Sequence, residues 1–307
     1  MTMRDSVIAV LLALMLTGPV SEQAADPAPF SFAAWGDVPY SRVERDRALD
    51  MLAEQAALPL AFSIHIGDIK SGGSLCDDAT FADRQALLDG STHPLILLTG
   101  DNEWTDCARA SAGGFAPHER LDALRARFFA TGESLGQRRL ALTRQECCAE
   151  NVRWSHQGVL FATLNVSGSA LPPGPRSAQL EAATLRWLDD AFAQAQTGGA
   201  RALVIAFHAN PAFADHAKGS PRPRYQALLD RLALGAARYA RPVLLIHGDT
   251  HRYRVDQPLH DPLSGAVLDN VTRLETHGSP WLGWTLVKVD PAATPPFSFE
   301  ARPQWLD

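Results

Sequence analysis

Short apolar runs recur along the chain, and several end in a polar group. Phe30 to Trp35 leads into Gly36-Asp37, and Leu60 to Ile66 into Gly67-Asp68. Leu95 to Leu98 leads into Thr99-Gly100-Asp101-Asn102-Glu103, and Leu203 to Phe207 into His208. Val243 to Ile246 leads through His247 into Gly248-Asp249-Thr250-His251. An unbroken, β-branched run of this length reads as a strand buried on both faces. Strands are predicted at about 30–35, 60–66, 94–99, 159–165, 202–207, 243–247, 252–257, 270–276 and 284–289, with a short one near 297–301. Between the early ones the period lengthens. Ala48, Met51, Leu52 and Gln55 fall on related turns of a helix over Glu44 to Gln55, and Thr80 to Leu88 is similar. Leu185, Leu188 and Phe192 mark a helix over Leu180 to Ala193, and Tyr225 to Leu234 repeats the pattern. Strand alternating with helix predicts a parallel sheet, whereas the strand-after-strand tail predicts antiparallel pairing. In open α/β sheets, ligands bind at the C-terminal ends of the strands. Four Asp and two His therefore converge on one edge, which is ligand chemistry for a metal centre, with enough groups for two ions.

Residues 105–150 break the alternation and read as an insertion over that edge, with a short helix near Pro117 to Phe129. The rest forms one domain over 26–307, and its 46% hydrophobic content is ample for a core. A net charge of −6 argues against a nucleic-acid or anionic-membrane surface. At the N-terminus, Arg4 precedes the apolar run Val7 to Leu16, which Gly18-Pro19 ends. Ten such residues are too short to span a bilayer but suit a secretory signal over 1–25, so the mature protein is expected to be periplasmic or secreted with no membrane span. Four Cys fit an exported chain. Cys76 and Cys107 follow Asp68 and Asp101 closely enough to lie in neighbouring loops and form a bridge, with two unpaired loop thiols as the plain alternative. The adjacent Cys147-Cys148 leaves other pairings open.

The order Gly-Asp, Gly-Asp, Gly-Asp-Asn-Glu, lone His, Gly-Asp-x-His resembles the calcineurin-like metallophosphoesterase family, from Asp37 to His251 and through the trailing strands. The resemblance implies an α/β fold, a four-layer α/β/β/α sandwich of two mixed sheets. It implies two divalent metal ions (Mn, Fe, Mg or Zn), a small phosphoester substrate, and attack on phosphorus by a hydroxide held between the metals. On that pattern Asp37, Asp68 and His251 match one metal's ligands, and Asp68, Asp101, His208 and Asp249 the other's, with Asp68 bridging. Asn102 and His251 match catalytic positions beside the phosphoryl group.

Three positions depart from the pattern. Pro39 stands where a ligand His is usual, Asp249 replaces another His, and Asn102 replaces the His that assists the leaving group. Asp101 also replaces a neutral Asn ligand. Four carboxylates with two imidazoles make a hard, oxygen-rich donor set that favours Mn²⁺, Mg²⁺, Fe or Ca²⁺ over a thiolate-type zinc site. They also nearly cancel two divalent charges, which weakens phosphate attraction and acidifies bound water less. The expectation is a metal-dependent phosphate mono- or diesterase. The alternative is a metal-binding module that keeps the fold without turnover. Tyr40, three residues past Asp37, reads as a packing or substrate contact, with replacement of the missing ligand as the sharper alternative. His65 and His247 read as supporting or core residues, Trp104 as a packed anchor, and Lys70 as either a phosphate contact or a solvated charge.

Overall fold

The computed structural model describes residues 27–220 and 222–304; the expected signal segment lies outside them. The elements run β1 (Phe30–Trp35), α1 (Arg42–Ala56), β2 (Ser63–His65), α2 (Asp78–Asp89), β3 (Leu95–Leu97), α3 (Pro117–Phe128), β4 (Thr143–Gln145), β5 (Cys148–His156) and β6 (Val159–Leu164). There follow α4 (Pro175–Thr197), β7 (Ala202–Phe207), α5 (Phe213–Ala217), α6 (Pro223–Tyr239), β8 (Val243–His247), β9 (Arg254–Asp256), β10 (Val271–Glu275), β11 (Gly283–Val289) and β12 (Phe297–Pro303). Two short 3₁₀ turns, Thr105–Ala108 and Ala110–Ala112, join β3 to α3.

The strands form two mixed sheets, ordered β12-β11-β1-β2-β3 and β4-β5-β6-β7-β8-β10-β9. Their inner faces meet in an aromatic and aliphatic layer. Phe62 stacks on Phe32 at 5.2 Å and meets Phe161 edge-on at 5.1 Å, and Trp154 stacks on Phe161 at 4.9 Å. Alternation in β1 sends Phe32 and Ala34 to this layer, and Ala33 and Trp35 to the opposite face. That outer face is covered by α1, α2 and α3 through Met51, Phe81 and Leu121. The second sheet's outer face is covered by α4 and α6 through Leu188, Leu229 and Leu232. Helices, sheet, sheet and helices make the four layers that the sequence led us to expect.

Register aligns the polar ends. Trp35 lies opposite His65, which lies opposite Leu97, so the chain leaves β1, β2 and β3 side by side into Asp37, Asp68 and Asp101. In the second sheet, Leu164 pairs with Phe207 and Ala206 with Ile246, which places His208 and Asp249 on the matching edge.

Two expectations need correction. Residues 143–156 supply β4 and β5, which extend the second sheet instead of covering the edge. No apolar run marks β5, because Glu150 and Asn151 are buried in it, Glu150 paired with Arg125 and Asn151 donating to Gln145. The tail is antiparallel at β9–β10 and β11–β12, yet β10 lies parallel to β8. The 252–270 excursion through β9 returns the chain to run beside β8 in its own direction.

Candidate metal centre

The residues that close the five runs come together in one cluster. Asp37, Asp68 and His208 present ligand atoms all within 4.8 Å of one another, and so do Asp101, His208 and Asp249. Asp37 and His208 are fully buried, and Asp68 is 4% exposed. His251 lies outside both groupings, with its Nε2 3.4 Å from Asp37 Oδ1. His208, not His251, thus stands between the two carboxylate sets, with Nε2 3.0 Å from Asp101 and 3.4 Å from Asp68.

Backbone conformation carries part of the arrangement. Asp37, Asp68, Asp249 and His251 all have positive φ, between 52° and 73°, and only Gln157, Ala212 and Ala240 are also positive among the other described non-glycine residues. Such angles cost of order 1–3 kcal/mol for side-chain-bearing residues and persist where surrounding structure holds them. Gly100 shows the crowding: a Cβ there would collide with the Asp68 carboxylate, so only glycine lets the two loops approach.

The imidazoles are oriented through their other nitrogen. His208 Nδ1 lies 3.0 Å from the Ile66 carbonyl, and His251 Nδ1 contacts the Ser279 carbonyl. A carbonyl only accepts, so each Nδ1 carries the proton, and in the neutral ring Nε2 keeps its lone pair toward the carboxylates.

Hydrogen bonds fix the acids. Glu103 Oε1 accepts from the Gly100 and Asp68 amides at 2.6 and 3.1 Å, tying the second loop to the third. Asp68 Oδ1 accepts from the Asn102 amide at 3.0 Å, and its other oxygen from Tyr40 at 2.8 Å and from the Asn102 side chain. Asp101 accepts from Ser169 at 2.6 Å, and Asp249 from the Asn210 amide at 2.8 Å and, through its own amide, donates to Asp37. Tyr40 is held from behind, because Glu44, in the first turn of α1, accepts from its amide at 2.6 Å.

Crowded carboxylates shift one another. Burial, with Asp101, Glu103 and Asp37 nearby, pushes Asp68 well above its ordinary value. Burial lowers His208, but the carboxylates of Asp68 and Asp101 outweigh it and hold the ring protonated. Burial likewise raises Asp101, yet the His208 and Ser169 hydrogen bonds keep it ionised. Burial and the charge of Asp68 raise the Tyr40 phenol, which stays a donor. The cluster is thus an acidic cavity in which the His208 imidazolium offsets part of the carboxylate charge, a role two cations would take over.

Several residues outside this set are now placed. Burial pushes His65 down to about 4; its Nε2 lies 3.0 Å from the Val38 carbonyl and its Nδ1 accepts from the Gly67 amide at 3.2 Å. Burial pushes His247 down to about 3, and it stacks on Phe207 at 5.9 Å. Both are core residues. Trp104 is a packed anchor, 1% exposed. Lys70 is not a solvated charge: its side chain is buried, donates to the Ser71 carbonyl at 3.0 Å and feels the charges of Glu103 and Asp68. Cys76 and Cys107 form a disulfide, while Cys147 and Cys148 are free. Sequence reasoning passed over Gly168 and Ser169, which touch Asp101 and Asp249. Their signal was present, since Val159 to Leu164 is another apolar run reaching a Gly within four residues, but it ends in no Asp or His.

The sequence matches no protein-family model and no curated protein. Solved structures do resemble it. A dimetal phosphatase from Danio rerio superposes with a TM-score of 0.56 at 12% identity, over 91% of this chain and 99% of that one. PhoD does so with a TM-score of 0.56 at 14% identity, over 87% of this chain and 65% of that one. Purple acid phosphatase from seeds of yellow lupin, Lupinus luteus, gives 0.52 at 12% identity, over 90% of this chain and 52% of that one. The chain thus spans about two thirds of PhoD and half of the lupin enzyme. It therefore has the fold of these phosphatases, two mixed sheets between layers of helices.

Proposed function

We propose that the protein is an exported, metal-dependent hydrolase of phosphate mono- or diesters. The observation that carries the reading is the pair of three-residue groupings that share His208. They offer hard oxygen and imidazole donors, with the His208 Nε2 aimed by the Ile66 carbonyl behind the ring and the adjacent His251 held likewise by Ser279, as suits a site for two divalent cations. The named phosphatases of the same fold support it. Export is supported by the charged and apolar N-terminal run and by the Cys76–Cys107 bridge.

Asp37, Asp68 and His251 would hold one cation, and Asp101, His208 and Asp249 the other, with Asp68 between them. His208 lies close enough to Asp68 to serve either. Two divalent cations supply charge stabilisation at phosphoryl oxygens and acidify a water. The chain's own residues do the rest. Glu103 keeps the Asp68 and Asp101 loops at fixed separation, and the carbonyls of Ile66 and Ser279 hold the imidazole tautomers. Asn102 and Tyr40 present an amide and a phenol at the rim of Asp68, placed to donate to a phosphoryl oxygen.

The second reading, a metal-binding module without turnover, draws on Asn102. Its side-chain amide donates to Asp68 and Tyr40, and it has no proton to give a leaving group. One experiment separates the two. The purified protein is analysed for metal and assayed on nitrophenyl phosphate and bis(nitrophenyl) phosphate, beside Asp68→Asn. An enzyme loses roughly 10²–10⁴-fold of its rate in the variant, the scale of several kcal/mol of metal-derived stabilisation. Equal trace rates in both proteins, with metal present in the parent, would leave only the binding module.

A further inference from the structure

A cavity of about 370 Å³ opens beside the cluster, between the loop after β6, the start of α4 and the start of α6. One end is Ser169, which lines the cavity and donates to Asp101 Oδ2 at 2.6 Å. From there the wall is largely hydrocarbon: Val166, Leu171, Leu180, Leu185 and Leu228, with Trp104. Leu171, Leu180 and Leu185 are only half-buried, so apolar surface faces water where nothing covers it. At the rim, the Arg224 guanidinium stacks over Tyr225 at 4.5 Å and donates to the Gly168 carbonyl. No carboxylate among the described residues pairs with it. The Tyr225 hydroxyl is taken up by the Ser167 and Gly168 carbonyls, at 2.9 and 3.2 Å.

We propose that this cavity receives an alkyl or aryl arm of the phosphoester, so that the substrate is amphiphilic. The phosphate would sit in the carboxylate and imidazole cluster, with the unpaired positive charge of Arg224 near it. The arm would lie past Ser169 against Leu171, Leu180 and Leu185. The inference rests on the phosphoesterase reading, and it names the substrate class of that site. Asn165, Ser177, Glu181 and Thr184 interrupt the wall, but a sugar or nucleoside arm would still turn hydroxyls or ring nitrogens onto its leucine side, where they find no partner, at a cost. An alkyl chain has no polar group to leave unpaired there and removes apolar surface from water on both sides.

Methyl phosphate and hexyl phosphate carry the same head and leaving oxygens of similar basicity, so their ratio reads the arm alone. With the Mn²⁺-loaded protein, kcat/KM for hexyl phosphate should exceed that for methyl phosphate at least tenfold, since each buried methylene is worth up to about 3–4-fold. Hexylphosphonate and methylphosphonate, which do not turn over, should show the same preference by titration calorimetry. Leu180→Arg places a charge in the wall and should collapse both ratios toward one. Ala178→Trp fills the same space from the exposed first turn of α4 and serves as a second variant. Hydrolysis of both esters with equal kcat/KM, and equal phosphonate affinity, would overturn the inference and leave the phosphoesterase reading intact. Preference for hexylphosphonate without hydrolysis of any phosphoester would support the cavity and overturn the enzyme.

Discussion

The two sheet edges that meet at the cluster solve different problems. The five-stranded sheet delivers Asp37, Asp68 and Asp101, with Glu103 directly behind, and no ligand imidazole. The seven-stranded sheet delivers His208, Asp249 and His251. Carboxylates buried together repel one another, most strongly where water is excluded. The first edge is accordingly strapped by bonds that need no cation: the Cys76–Cys107 bridge, Glu103 across two loops, and the Asn102 amide on Asp68. The second edge has no covalent brace among the described residues. Its imidazoles are drawn to the carboxylates and need only a fixed tautomer, which single carbonyls provide. The lesson is that rigidity is concentrated where like charges gather.

The bridge tests this most severely. It closes a separation of 31 residues, for which chain entropy gives about 3–4 kcal/mol. Cys76→Ser with Cys107→Ser should lower unfolding free energy by that amount in denaturant melts and weaken Mn²⁺ binding as well. If Mn²⁺ affinity stays unchanged while stability falls, the bridge serves the fold alone and the contrast between the edges fails.

A smaller effect comes from His65, which ends β2 under the first edge. Its folded-state pKa, about 4, lies below the ordinary 6.5. The unfolded chain therefore takes up a proton first as pH falls. The neutral ring supports stability fully above pH 6.5, and that support is lost progressively as pH drops from 6.5 toward 4, by roughly 3 kcal/mol at most. His65→Gln should flatten the stability profile across that window relative to the parent. An unchanged slope would mean that the acid sensitivity of the first edge lies elsewhere.

The smallest change sharpens the chemical side of the comparison. Asn102→His gives the first edge the imidazole it lacks. Recovery of even part of the about 10²–10⁴-fold typical of general acid catalysis should favour hexyl phosphate, a poor leaving group, over nitrophenyl phosphate by about tenfold. Equal effects on both would show that position 102 serves Asp68, to which Asn102 donates, and not the leaving group.

The sequence by itself determined the strands that build the site and the order of their polar ends. A run buried on both faces must be apolar, and a glycine followed by Asp or His is conspicuous after it, so Asp37, Asp68, Asp101, His208, Asp249 and His251 were legible as a set. Helices α1, α2, α4 and α6, which cover the two sheets with α3, followed from period. Tertiary structure decided what periodicity cannot encode. Strand β5 hides polar residues in ion pairs and hydrogen bonds, so its burial depends on partners far along the chain, Arg125 foremost. The parallel seating of β10 depends on a long return path, not on its own residues. Whether His208 or His251 stands between the carboxylate sets is set by how the two sheets pack against each other. The cavity walled by Leu171, Leu180 and Leu228 exists only because α4 and α6 pack side by side, bringing together segments of the chain more than forty residues apart.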